Sequence, residues 1–347
     1  MKKIKGLLAG LLAAITLFSV TGCSEDTSWI AKTEDETIPA GVYLSYLMTA
    51  YNEAVDQVDT TKDIWEQKIG DVSFEQWITD KANNALRQYV AINLLFDELG
   101  MTMGEEGKRI AENQTDSYWE GYEDMYEANG ISYASLLKMA EADYKTQKVF
   151  EYYYDKGGVE EVPDKEIRDY FYDNYAKVKY LTVNNYNLET GKQYTESEFK
   201  GVMDAYVTRI NKGTDIDVII DEYTAAIYKA YGFEEYKPDT SDSSRNVALL
   251  YKEQEGYLAH LAEMTFEQKE FNVPYVDDTS KDGSWYLCAR YDLTKDEELY
   301  ETNRDDILYQ MRGSDYIEKL EERIASVDIE LNVAAINRYS PRNIKVS

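Results

Sequence analysis

The chain has 347 residues, with 66 acidic side chains against 37 basic ones for a net charge of −29, and it carries 32 tyrosines, five prolines and one histidine. That length holds two domains, and the scarcity of proline excludes a proline-rich disordered tail or a collagen-like repeat. So negative a surface repels phosphate backbones and anionic headgroups, so neither nucleic acid nor polybasic membrane docking is expected.

Lys2, Lys3 and Lys5 precede an apolar stretch from Gly6 to Val20, the charge and length pattern of a signal peptide over residues 1–22. The stretch is too short to span a bilayer comfortably. It ends in Val20-Thr21-Gly22-Cys23, which resembles the bacterial lipobox and makes Cys23 the expected lipidation site. A diacylglyceryl group there supplies the two acyl chains that stable anchoring needs. Removing residues 1–22 deletes three lysines and no acids, leaving a mature net charge of −32. The expected location is the cell membrane, on its extracytoplasmic face. With Cys23 acylated, Cys288 has no partner for an intramolecular disulfide, and stability must come from packing.

Ser24 to Lys32 reads as a short polar tether. Tyr43, Tyr46, Leu47, Ala50, Tyr51, Ala54 and Val58 recur at helical spacing, and Phe74, Ile78, Ala82, Leu86, Tyr89, Ile92 and Phe96 mark a second helix closed by Gly100. Further helices are expected over residues 105–128 and from the Ser132 cap to about residue 155, so residues 23–160 read as a helical region. After Gly157-Gly158, Pro163 opens a short helix, where its missing N–H costs nothing. Residues 161–293 then read as an α/β module: a strand at Val178–Val183, helices over 196–211 and 215–223, a polar loop from Asp239 to Asn246, a helix from Tyr257 to Phe266, and strands at Phe271–Val276 and Trp285–Tyr291. Residues 294–347 supply a long helix, 297–326, and a strand-like tail through Ile329, Leu331 and Val333, expected to pack back on the first region.

The order of these pieces resembles the SurA and PrsA class of extracytoplasmic foldases. The resemblance is carried by Ile38-Pro39-Ala40-Gly41 before a tyrosine-rich helix, by Leu94-Leu95-Phe96-Asp97-Glu98-Leu99-Gly100, by Gly130-Ile131-Ser132, and by Val162-Pro163-Asp164-Lys165-Glu166-Ile167 with Tyr170-Phe171. It implies an α+β fold, mainly α: a helical SurA/PrsA-like chaperone domain with an inserted parvulin-like α/β module. Parvulin-like peptidyl-prolyl isomerases place one histidine on the first strand of that module and another on the last. Here Tyr180 and Tyr286 stand at those positions, and the Gly-Gly-x-Leu-Gly segment expected after the acidic loop is missing. Prolyl isomerisation has to lower a barrier of about 18–20 kcal/mol. Tyrosine cannot reproduce the two-ended hydrogen bonding of an imidazole pair, so a degenerate module is expected, with no catalytic residue.

Other candidates are weaker. His260, flanked by Ala259, Leu261 and Ala262, reads as a packing or surface helix position. Asp278 to Gly283 begins like a calcium loop, but its twelfth position is Ala289, so a hairpin turn explains it better. No cofactor or metal is expected. Tyr43, Tyr46 and Tyr51, together with Trp119, Tyr122 and Tyr126, are candidates for contact with unfolded client chains, because tyrosine offers apolar area with a polar tip at low rotamer entropy. For most of these aromatic residues, helical spacing favours core packing. The expected function is a lipid-anchored chaperone for newly exported, unfolded polypeptides, and a homodimer is compatible with it. An active parvulin-type isomerase and a ligand-binding or scaffold lipoprotein remain the alternatives.

Overall fold

A computed structural model describes residues 26–34, 36–241, 245–277, 285–326 and 329–345. The signal peptide, Cys23 and the Asp278–Gly283 turn lie outside the described residues. The fold is α+β and mainly α. It divides into two compact units, Met1–Glu151 with Ile317–Ser347, and Tyr152–Tyr316. The division falls within two helices, α4 and α9 below.

The first unit opens with β1 (Trp29–Lys32), β2 (Thr37–Pro39) and α1 (Ala40–Val55). A small hairpin, β3 (Lys68–Ile69) and β4 (Val72–Ser73), leads into α2 (Phe74–Glu98), α3 (Gly104–Ala128) and α4 (Tyr133–Tyr154). In the second unit come α5 (Asp164–Asn174), β5 (Tyr175–Val183), α6 (Glu196–Asn211), α7 (Ile216–Tyr231), β6 (Val247–Tyr251), α8 (Ala259–Glu267), β7 (Pro274–Asp277) and β8 (Trp285–Tyr291). Then α9 (Glu297–Ser326) returns the chain to the first unit, which β9 (Glu330–Leu331) and α10 (Val333–Arg338) complete.

The first unit is less purely helical than the sequence suggests. Part of the expected tether is β1, because Ile30 and Ala31 are wholly buried and need backbone partners. It finds them on both sides: Ala31 lies opposite Ile38 of β2 and Leu331 of β9, all antiparallel. The expected C-terminal strand stops after Leu331, since the Asn332 side chain accepts a hydrogen bond from the Ala335 N–H and starts α10 instead. The Ser73 hydroxyl accepts from the Gln76 N–H at the start of α2, and Gly100, with φ +66°, ends it in the left-handed region. Tyr43, Leu47, Ala50 and Ala54 of α1 and Phe74, Ile78, Ala82 and Leu86 of α2 are all buried, and the two helices pack along each other.

Gly41 permits a close approach of α1 to α4. A Cβ built there would lie 2.2 Å from Ser135 Oγ and 2.9 Å from Ser135 Cβ, so a side chain would force the helices apart. Gly41→Ala is therefore expected to destabilise the protein by about 1–3 kcal/mol, read as a lowered midpoint in thermal unfolding. An unchanged midpoint would show that the helices can separate freely.

In the second unit, the sheet runs β6-β5-β8-β7, antiparallel throughout. Strand β6 directly follows the expected Asp239–Asn246 loop, in a stretch to which the sequence assigned no element, with Leu250 opposite Ala176. Strand β7 starts later than expected, since Asn272 takes φ +61° and Phe271 is exposed. Helix α7 runs past Tyr223 to Tyr231 and closes on Gly232 at φ +71°.

An ionic brace ties α5 to α9. Arg168 makes two 2.7 Å bonds to Glu297 and lies over the Tyr300 ring, 3.9 Å from its centroid. The buried Tyr300 hydroxyl donates to Asp164 at 2.7 Å, and Arg304 reaches Asp155 at 2.8 Å. The hydrogen bond from Tyr300, with help from Arg168, holds Asp164 below the ordinary carboxylate range; Arg168 does the same for Glu297, and Lys177 for Asp296. The folded chain therefore binds fewer protons than the unfolded one as these groups titrate. Stability from the brace is present above the unfolded carboxylate range, about pH 4, and is lost as the pH falls through the lower folded values. Denaturant unfolding followed between pH 7 and pH 3 should show this loss, and Asp164→Asn should make it shallower; equal slopes would remove Asp164 from the account.

Candidate functional site

Strand β5 sorts its side chains by parity. Leu181 and Val183 face a core built with Phe199 and Met203 of α6 and Ile216, Ile219, Ile220 and Tyr223 of α7. Val178 and Tyr180 face the opposite way, toward Leu261 and Ala262 of α8, with Leu250, Tyr286 and Cys288 beside them. The two tyrosines that replace the expected histidines thus share a face, their ring centroids 6.2 Å apart and their planes tilted by 54°.

Strand register arranges this face into two rows. Tyr180 of β5 lies opposite Cys288 of β8, which lies opposite Tyr275 of β7. In the next row, Thr182, Tyr286 and Asp277 stand side by side on the same three strands. Helix α8 adds one polar group to each row: the Thr265 hydroxyl is 2.9 Å from that of Tyr275, and His260 Nε2 is 3.0 Å from Asp277 Oδ2.

Burial decides what these groups can do. Cys288 is wholly buried, and desolvation pushes its thiol well above its ordinary pKa, with the charge of Asp277 adding to the effect; a hydrogen bond from Tyr275 acts weakly the other way. It is therefore a neutral packing group rather than a thiolate nucleophile. Desolvation likewise raises the Tyr275 phenol. Asp277 is wholly buried while the His260 side chain is 43% exposed, so the chain's single histidine joins a buried carboxylate to the surface. Sequence reading placed His260 as a packing or surface position and missed this pairing.

The proposed client-contact residues separate into two groups. Tyr43 is wholly buried, its phenol pushed up to about 12 by burial, so it belongs to the core and offers no surface to a client. Tyr46 is partly buried, and Tyr51 packs 6.0 Å from both Trp65 and Phe74. By contrast Trp119, Tyr122 and Tyr126 come together on α3: Trp119 stacks on Tyr126 at 6.1 Å, and Tyr122 meets Tyr126 edge-on at 6.4 Å. Tyr126 is buried, Trp119 partly so, and Tyr122 is 57% exposed.

No protein-family model and no curated protein matches the chain. Among solved structures, it is similar to PrsA foldases. The PrsA of Bacillus subtilis is 15% identical, covering 89% of this chain and 96% of that one with a TM-score of 0.30. The foldase protein PrsA of Streptococcus pneumoniae str. Canada MDR_19A is 12% identical, covering 79% and 97% with a TM-score of 0.37. The Lactococcus lactis foldase protein PrsA is 11% identical, covering 91% and 99% with a TM-score of 0.33.

The burial of Cys288 has a direct chemical consequence. In protein beginning at Ser24, where Cys288 is the one thiol, a disulfide thiol reagent is expected to react at least about a hundredfold faster in denaturant than in native buffer. Comparable rates in the two conditions would place the thiol within reach of solvent.

Proposed function

We propose that this chain is an extracytoplasmic, lipid-anchored chaperone that shields unfolded exported polypeptides and does not isomerise prolyl bonds. The observation that carries the reading is the α8 face of the module. There Tyr180 and Tyr286 pack against each other at 6.2 Å beside the wholly buried Cys288. Lowering a barrier of about 18–20 kcal/mol calls for a pocket that holds a twisted imide better than a planar one. Two tyrosine rings packed together favour a filled core over such a pocket.

Anchoring through Cys23 is part of the same proposal and rests on the lipobox-like segment. Among the described residues no helix is long and apolar enough to cross a membrane. A lipid on Cys23 would hold an acidic body to the membrane surface without any basic contact.

A paired assay on protein from Ser24 onward tests the functional reading. Near-stoichiometric suppression of aggregation of an unrelated unfolding protein is expected, with no acceleration of cis/trans exchange in a short proline peptide. Isomerase activity that falls in Tyr180→Phe or Tyr286→Phe would overturn it in favour of an active enzyme. A lack of suppression with every client tried would overturn the chaperone assignment itself.

A further inference from the structure

The second half of α3 combines exposed aromatic rings with charge of a single sign. One side of the helix is anchored: Tyr126 is buried with Met48, Ile131 and Leu136, and Trp119 packs against the same cluster and edge-on to Tyr133. The other side is open, with Tyr118 51% and Tyr122 57% exposed. Tyr122 also leaves helical geometry, at φ −143° and ψ 20°, so the helix bends where the rings gather.

Charge along this stretch of the helix is of one sign. Between Arg109 and Lys138 the chain has no lysine or arginine, while Glu112, Asp116, Glu120, Glu123, Asp124 and Glu127 are all exposed. One of these carboxylates, Asp116, accepts a 2.7 Å hydrogen bond from Tyr133. Two lysines come close from other elements: Lys345 donates to the Ala128 carbonyl at 2.9 Å, and Lys138 pairs with Glu36 at 2.7 Å.

We propose that the outward face of α3 from Glu112 to Glu127 is a docking surface for extended, lysine- and arginine-rich polypeptide segments. Aromatic faces attract ammonium and guanidinium groups, tyrosine gives flat contact area at low entropic cost, and the carboxylates steer and hold positive charge. A glycan would use the same rings, but its hydroxyls need donors as well as acceptors, and ionised carboxylates only accept. A second ring cluster at the end of α7, with Tyr231 60% and Phe233 62% exposed, contains Lys229 and Lys237 in the same segment and lacks this one-signed field. It serves as the internal control.

The proposal rests on the chaperone reading for its biological sense, though not for its test. Fluorescence anisotropy would compare a labelled unstructured peptide rich in lysine and arginine with a same-length peptide carrying glutamate at those positions. The cationic peptide is expected to bind, more weakly as salt rises, and the anionic one to bind at least about tenfold less tightly. Tyr118→Ala with Tyr122→Ala should weaken the cationic peptide by a similar factor. Glu120→Gln with Glu123→Gln, exposed and nearly isosteric, should weaken it in a chain whose circular dichroism melt is unchanged. Tyr231→Ala with Phe233→Ala should leave binding as it was.

Equal binding of both peptides, or α3 variants without effect, would overturn the proposal; so would a soluble glycan that binds this face while the cationic peptide does not. If aggregation of neutral clients is suppressed equally by the α3 variants and the parent, and peptide charge makes no difference, this inference falls and the chaperone reading stands. Where the peptide binds at α3 but no client is protected, the chaperone reading falls and the docking surface stands.

Discussion

The register of β5 governs the second unit. This strand is flanked by β6 and β8 and buried on both faces, yet it carries Lys177 and Lys179. Lys179 reaches Asp217 near the start of α7 at 2.5 Å, with both side chains only 12% and 15% exposed, and Lys177 bonds Asp296 just before α9. Neither lysine could be left without its carboxylate at that depth. Because strand side chains alternate, a slip of one residue would turn both lysines toward α8 and carry Tyr180 away from Tyr286. Two ion pairs on one face therefore fix the site on the other.

Much of this was legible in the sequence where one period dominates over many residues. The bounds of α6, β8 and α9 follow the expected segments because long amphipathic or alternating runs leave one choice. The short elements were hidden. Strand β1 has four residues and β9 two, and these two strands pair with each other across about 300 positions, which no local pattern records. Strand β6 is a five-residue apolar run with no alternation to read. At the site, the two tyrosines at the positions where histidines were expected were visible, Tyr180 and Tyr286. The pairing of His260 with Asp277 was not, because a helix residue and a strand residue 17 positions apart meet only through the packing of α8 on the sheet.

Tyrosine reconciles a very acidic composition with a packed interior. In both units phenols are buried where aliphatic side chains would ordinarily sit: Tyr43 in the first, Tyr154, Tyr300 and Tyr316 in the second. Their bodies supply apolar area, and their hydroxyls can meet carboxylates that an aliphatic core would strand, as Tyr300 meets Asp164. Where such rings reach the surface among acids, as on α3, the same chemistry faces outward.

The pairing of the two chain ends imposes an order in time. Ala31 waits for Leu331, and the Asn332 side chain donates to the carbonyls of Asp26 and Trp29 at 2.8 and 3.0 Å. At roughly 5–20 residues per second of synthesis, the roughly 300 residues between β1 and β9 take roughly 15–60 s to make, so β1 and β2 exist long before β9. Strand β1 can pair with β2 locally, so until β9 exists the small sheet presents a bare edge, the side of β1 away from β2.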